Sequence, residues 1–256
     1  MTNTRGATMT LKGKTALVTG AGRGMGLAFS RELASRGATV FMCDVDGGTV
    51  AAAAAELVEQ GLTVAAATVD VSSEADVRTV VARAVRETGR IDIVVSNAGI
   101  HPLKGIDEID VAEWDQVLAV NVRGCFLLCR AVLPHMRSQK YGRIINIASE
   151  AGKNGGTICA PHYAASKGAI LAFTRNLARA VGADGITVNA IAPGRIATAM
   201  AAQVSAEENQ VYIDKSSVKR LGDPTDVANA VAFLADEKSG FITGETLNVN
   251  GGTLMD

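Results

Sequence analysis

The chain has no excess of charge of either sign. Its 25 Lys and Arg face 26 Asp and Glu, for a formal net charge of -1, and no basic block occurs. This excludes the electrostatic footprint of a nucleic-acid or anionic-membrane binder. Cysteine is scarce: Cys43, Cys125, Cys129 and Cys159 form no C-x-x-C. Cys125 and Cys129 lie one helical turn apart, but no His or Cys partner has ligand spacing, so no metal site is expected. Free thiols of this kind fit a reducing, cytoplasmic setting. No apolar run approaches the ~18 residues of a membrane span. Residues 1–10 lack an apolar stretch, which argues against a secretory signal and predicts a disordered tail. No Pro- or Ser-rich linker and no internal repeat divides the rest, so residues 11–256 read as one domain.

What is present is a large apolar fraction, 48% hydrophobic against 20% charged over 256 residues. That suffices to bury a core. Short apolar runs at 15–18, 39–43, 64–69, 91–95, 143–148, 186–191 and 246–249 alternate with segments of helical period. The segments are 24–36, 49–60, 73–88, 111–137, 162–181 and 224–235. Strand–helix alternation over the whole length predicts an α/β fold. It would be a doubly wound, Rossmann-type parallel sheet of about seven strands with helices on both faces. The runs are apolar throughout, as strands buried on both sides require. Gly37 and Gly61 follow helices as C-terminal caps, and Asp110 with Glu113 resembles a capping box. Asp223-Pro224 places a cap before a first-turn proline. Residues 194–222 lack clear period, with a short helical piece expected at 199–204. Such a segment predicts a binding loop.

The first strand runs into Thr19-Gly20-Ala21-Gly22-Arg23-Gly24-Met25-Gly26, and a helix follows. Glycines there allow a tight turn and close approach to a pyrophosphate at the helix N-terminus. Asp44, at the end of the second strand, lies near the distance expected of an acid that binds adenosine ribose hydroxyls. A carboxylate there repels a 2′-phosphate, so NAD is expected over NADP. Arg23 pulls the other way, or serves only as a solvated loop cation.

Tyr163 and Lys167 lie one helical turn apart, on one face. With three Tyr and nine Lys in 256 residues, chance gives roughly 0.1 pairs at this spacing. An adjacent ammonium is expected to lower the phenol pKa and fit it for acid–base work. Ser149, at the end of the fifth apolar run, would hold a carbonyl or alcohol oxygen.

Together these motifs resemble the short-chain dehydrogenase/reductase family over roughly residues 13–252. Its glycine motif matches Thr19 to Gly26, including Gly20, Arg23, Gly24, Met25 and Gly26. Its Asp-Val beside adenine matches Asp70-Val71. Its Asn-Asn-Ala-Gly occurs as Ser96-Asn97-Ala98-Gly99, with Ser in place of the first Asn. Its Pro-Gly matches Pro193-Gly194, with Ile196 and Thr198 falling at the nicotinamide amide. The resemblance implies a catalytic set of Asn121, Ser149, Tyr163 and Lys167. Tyr163 would exchange the proton and Ser149 would orient the substrate oxygen. Lys167 would bind the nicotinamide ribose, and Asn121 would hold a water in a proton relay. The cofactor would carry the hydride.

The implied reaction is NAD-linked interconversion of a secondary alcohol and its ketone. Asp44 favours polyol, sugar or hydroxy-acid substrates. The alternative is a 3-oxoacyl-thioester reductase of acyl-carrier-protein or acyl-CoA type. A non-catalytic nucleotide sensor on the same fold is a third reading, disfavoured by the complete catalytic set. Substrate is expected between Ser149, Tyr163 and residues 194–222. Glu150, Lys153, Gly155, His101, His162 and Arg195 are candidate lining residues, the two histidines at the rim. Trp114 is expected at a helix interface. Family members are usually homotetramers, and the apolar Cys125, Phe126, Leu128 and Cys129 suit burial against a partner.

Overall fold

The computed structural model describes residues 10–156, 159–199 and 204–256; the expected N-terminal tail falls almost wholly outside them. Seven parallel strands form one sheet in the order β3-β2-β1-β4-β5-β6-β7. They are β1 (Thr15–Thr19), β2 (Thr39–Asp44), β3 (Val64–Thr68), β4 (Ile93–Ser96), β5 (Gly142–Ile147), β6 (Ile186–Pro193) and β7 (Thr246–Val249). The order reverses between β1 and β4. Doubly wound sheets bind ligands at that crevice, beyond the strands' C-terminal ends.

Both faces are covered. On one, Ala16 and Val18 of β1 and Ile93 and Val95 of β4 share a core with Phe29 and Leu33 of α1 (Gly24–Ser35). Leu57 of α2 (Gly47–Glu59) and Val231 of α9 (Pro224–Ala235) complete it. On the other, Leu17 and Val94 meet Val80 of α3 (Glu74–Thr88), Leu128 and Val132 of α5 (Gly124–Gln139) and Val181 of α7 (Pro161–Val181). Successive strand residues point to opposite faces, so each central strand feeds both cores. Each such side chain stabilises the fold by roughly 1.5–3 kcal/mol. Leu128→Ala would cost about 2–5 kcal/mol, transfer and cavity together.

The expected single helix over 111–137 is divided. α4 (Val111–Leu118) runs into a π-helical turn, Ala119–Arg123, before α5 begins. The whole stretch Val111–Gln139 is apolar enough to cross a membrane by length and composition alone. Val117, Leu128, Val132 and Met136 are buried in the fold, so it is a core helix. Asp110 caps α4 by accepting the Glu113 N–H at 2.8 Å. The Glu113 carboxylate does not complete the box, because Lys104 and His162 take it.

Residues 194–222 also depart from expectation. Their helix is α8 (Ala206–Lys215), started by a full Ser205–Glu208 capping box. Of the expected helical piece at 199–204, residues 200–203 lie outside the described residues. Ala199 and Val204 are in a turn and a bend.

Candidate active site

The site is built on the C-terminal ends of β1, β2, β4, β5 and β6. At the end of β1, Gly20 has φ +64°, which favours glycine. A Cβ on Gly26 would stand 2.0 Å from the Gly20 carbonyl oxygen, so the loop can close onto α1 only with glycine there. Asp46, Ser73 and Asp223 side chains cap α2, α3 and α9. No side chain caps α1, and its first turn carries no acid. Its N–H groups and positive dipole end are thereby left for an anion. This bare helix start above a glycine cradle fits a dinucleotide pyrophosphate.

Asp44 is the last residue of β2. Its Oδ2 accepts the Gly22 N–H at 2.9 Å, tying β2 to the glycine loop. Arg23 is exposed. Asp70 accepts from Ser72 N–H at 2.8 Å and Ser72 Oγ at 2.7 Å, so its carboxylate holds its own turn. Val71 is buried against the Gly124 face of α5. Asn97 donates to the carbonyls of Thr19 and Gly20 at 2.9 and 3.2 Å, binding the β4 loop to the β1 loop. The Ala98 N–H meets Thr19 Oγ1 at 3.1 Å. Met25 lines the cavity described below, as do Pro193, Gly194, Ile196 and Thr198 at the end of β6.

Ser149 follows β5, and Tyr163 and Lys167 share one face of α7. Proline opens that helix, and no side chain caps it. Lys167 is buried and donates to the Ile147 carbonyl at 2.8 Å. A Cβ on Gly99 would stand 3.2 Å from Asn121 Oδ1 and 3.7 Å from Lys167 Nζ, so the β4 loop, the π-turn and α7 converge there. Asn121 is 1% exposed. Its Oδ1 accepts the Ile100 N–H at 2.9 Å. Its Nδ2 donates to Ile100 O at 3.1 Å and to Ser166 Oγ at 3.0 Å. The side chain thus clamps the β4 loop to α7.

The expected lowering of the phenol pKa is reversed. Burial pushes Tyr163 up to about 12, while the neighbouring Ser149 hydroxyl works against it. The ammonium stands 5.6 Å from the phenol ring centre, donates a hydrogen bond to the Ile147 carbonyl, and is not among the groups that shift Tyr163. Burial also brings Lys167 down to about 8. At neutral pH the site therefore holds a protonated phenol, an acid ready to donate.

Ser149 and Tyr163 open into a cavity of about 160 Å³, walled opposite by Arg195, Val204 and Tyr212. The Tyr212 hydroxyl on α8 receives the Arg195 N–H at 2.9 Å and reaches Glu150 Oε2 at 3.3 Å. Thr253 donates to the same Glu150 oxygen at 2.5 Å. Arg195 is spent on Glu208 O and Asn209 Oδ1, at 3.0 and 3.1 Å. Lys153 pairs with Asp256 at 3.0 Å. Both cations named as candidate lining residues are thus engaged within the protein.

The family described as Enoyl-(Acyl carrier protein) reductase matches residues 20–253. A 3-oxoacyl-[acyl-carrier-protein] reductase, FabG of Vibrio harveyi, is 40% identical over 248 residues, covering 96% of this chain and 100% of that one. The chain belongs to the short-chain dehydrogenase/reductase family. Another relative is the BbsD subunit of (2S)-[(R)-hydroxy(phenyl)methyl]succinyl-CoA dehydrogenase from Thauera aromatica. It is 39% identical, with 95% of this chain and 98% of that one covered. A 3-oxoacyl-[acyl-carrier protein] reductase crystal structure from Brucella melitensis superposes with a TM-score of 0.91. It is 40% identical and covers 98% of this chain and 95% of that one. A second Brucella melitensis reductase structure, with bound NAD, gives a TM-score of 0.90 at 38% identity, over 98% and 95% of the two chains.

Membership makes this chain an oxidoreductase of alcohol and keto groups that uses a nicotinamide dinucleotide. Within this dehydrogenase/reductase, His162 is not the rim residue expected. It is fully buried, with Nε2 3.2 Å from Glu113 Oε1 and Nδ1 accepting the Tyr163 N–H at 3.0 Å. Since Nδ1 accepts, Nε2 carries the proton and donates to Glu113. Trp114 stacks 6.3 Å from it, on the helix interface expected. The Lys104–Glu113–His162 chain steadies the backbone of Tyr163. Sequence reasoning missed this chain, and the Tyr212–Glu150–Thr253 cluster. Ser205-x-x-Glu208 was the signal that could have placed α8. Among the described residues, no three His, Cys, Asp or Glu gather as a metal site.

Proposed function

We propose that this protein is an NADH-linked reductase of 3-oxoacyl thioesters, on acyl carrier protein or coenzyme A. The observation that carries the reaction is Tyr163, a partly buried phenol that lines the cavity beside Ser149. A protonated phenol donates to a developing alkoxide, as reduction requires. Ser149 orients the carbonyl oxygen. Lys167, seated on Ile147, keeps a positive charge near the ribose side. Asn121 fixes the loop over the site, and Asp44 reads the adenosine ribose. A bound nicotinamide dinucleotide supplies the hydride.

Asp44 supports NADH. It would face a 2′-phosphate with like charge, and the bond from Gly22 holds it in place. The thioester reading rests on full-length likeness to thioester enzymes, and we place it ahead of polyols, sugars and free hydroxy acids. A homotetramer is part of the same reading. Phe126 is 41% exposed on α5 and meets Phe173 edge to face, an apolar patch that suits a second subunit. A sizing column tests that.

The decisive experiment follows NADH absorbance with acetoacetyl-CoA, then with NADPH in place of NADH. Rapid turnover with NADH and at least tenfold lower kcat/KM with NADPH is expected. Activity confined to polyols or free hydroxy acids would defeat the substrate reading. NADPH preference would defeat the role given to Asp44.

A further inference from the structure

His101 follows Ile100 on the β4 loop, and the Asn121 clamp fixes its backbone. Its ring lies 4.0 Å from the Tyr163 ring, tilted by 45°. It lines the same cavity as Ser149 and Tyr163. Its Nε2 is shielded from solvent and meets no hydrogen-bond partner in the protein. Buried polar atoms are nearly always paired, so an exception beside a reacting centre calls for an explanation. The adjoining cavity is where a ligand atom can supply the missing partner.

The ring is suited to that task. Burial, reinforced by the charges of Lys167 and Arg195, pushes its pKa down to about 4. At neutral pH it therefore offers one donor and one acceptor without a charge. Tyr163 and Ser149 already serve the reacting oxygen. Arg195 and Lys153 are held by the Glu208 carbonyl and Asp256. The free nitrogen is thus placed for a second oxygen, near the carbon being reduced but not on it.

We propose that His101 is a specificity-determining residue, whose Nε2 hydrogen-bonds a second carbonyl oxygen of the substrate, β to the reacting carbonyl. It rests on the reductase reading above and deepens it. A site built to bond one polar atom rejects an analogue lacking that atom, because its own buried group is then left unpaired. The enzyme should therefore prefer β-keto esters and thioesters to plain ketones.

A matched pair of ketones tests this. Ethyl acetoacetate carries the second carbonyl; 4-ethoxybutan-2-one lacks only that oxygen. Wild type should favour the keto ester in kcat/KM. His101→Phe should lower kcat/KM for the keto ester roughly tenfold to a hundredfold, the loss of one buried hydrogen bond. The plain ketone should lose less, so that the keto-ester-to-ketone ratio of kcat/KM falls about tenfold. His101→Gln, which keeps a donor and an acceptor, should recover part of the loss. In NADH-loaded enzyme labelled with nitrogen-15 histidine, the His101 Nε2 resonance should move on adding the keto ester and not the plain ketone.

Equal losses on both ketones would overturn the proposal, leaving His101 as packing for Tyr163. So would an unchanged variant, a wild type indifferent to the second carbonyl, or an Nε2 resonance that never moves. Preference for ethyl acetoacetate without activity on acetoacetyl-CoA would sink the thioester reading and leave the assignment of His101 standing.

Discussion

Replacing Asn121 by Asp puts the clamp between the β4 loop and α7 to a strict test, because shape is kept and only donors change. The native amide makes three bonds: one accepted from Ile100 N–H at 2.9 Å, and two donated, to Ile100 O at 3.1 Å and Ser166 Oγ at 3.0 Å. A carboxylate keeps the first. Its other oxygen then faces the Ile100 carbonyl, a repulsive pair. Nor can Ser166 turn to help, since its own proton goes to Tyr163 O at 2.7 Å. Counting about 1 kcal/mol for each of the three bonds gives about 3 kcal/mol for Asn121→Ala. Asn121→Asp should lose at least as much, because it buries a charge as well. For a chain of this length, melting falls about 2–4 °C per kcal/mol, so both variants should melt roughly 6–12 °C lower. Circular dichroism at fixed pH and NADH concentration reads this directly. If Asn121→Asp melts within about 2 °C of wild type, the clamp carries no such weight and the reasoning fails.

Tyr163→Phe should lower kcat at least a thousandfold while NADH binding, measured by fluorescence, stays within about threefold; residual activity near wild type would remove the phenol from its role. Lys167 titrates near 8 when folded against an ordinary 10.5. Between those values the unfolded chain holds a proton that the folded one has lost, so this residue makes stability rise with pH. The urea midpoint of wild type relative to Lys167→Met should therefore climb from pH 8 to 10; a flat difference would contradict the burial of that ammonium. Asp44→Ala should move the NADPH-to-NADH ratio of kcat/KM at least tenfold toward NADPH, since it removes a like charge. An unaltered ratio would mean the carboxylate does not read the ribose.

The strands were legible because each is a short apolar run, and apolar-throughout runs mark strands covered on both sides. The glycine loop and Asp44 were legible because backbone approach and ribose binding demand particular residue types at particular strand ends. The π-turn was hidden: Val117, Leu128 and Val132 keep a helical rhythm loose enough to absorb one wider turn. Chemistry that depends on burial was also hidden. Spacing put Lys167 beside Tyr163, but it could not show how strongly burial would hold the phenol in its neutral form. His162 was misjudged for a related reason. A histidine next to the expected substrate space reads as a rim residue, and nothing local reveals that Glu113, forty-nine residues earlier, meets it in the interior.

The wide turn at Ala119–Arg123 also limits how this chain can change. A π-turn holds one residue more than the α-helix that would replace it. Winding the same residues as continuous α-helix, with none removed, would turn everything downstream by about 100°, the angle between neighbours on a helix. Leu128, Val132 and Met136 would swing off the sheet, and Arg130, now outside, would swing toward it. The bulge that aims an amide at Ile100 therefore sets the phase of the next four turns. Straightening it with no residue lost would require the whole seam beneath α5 to be rewritten at once.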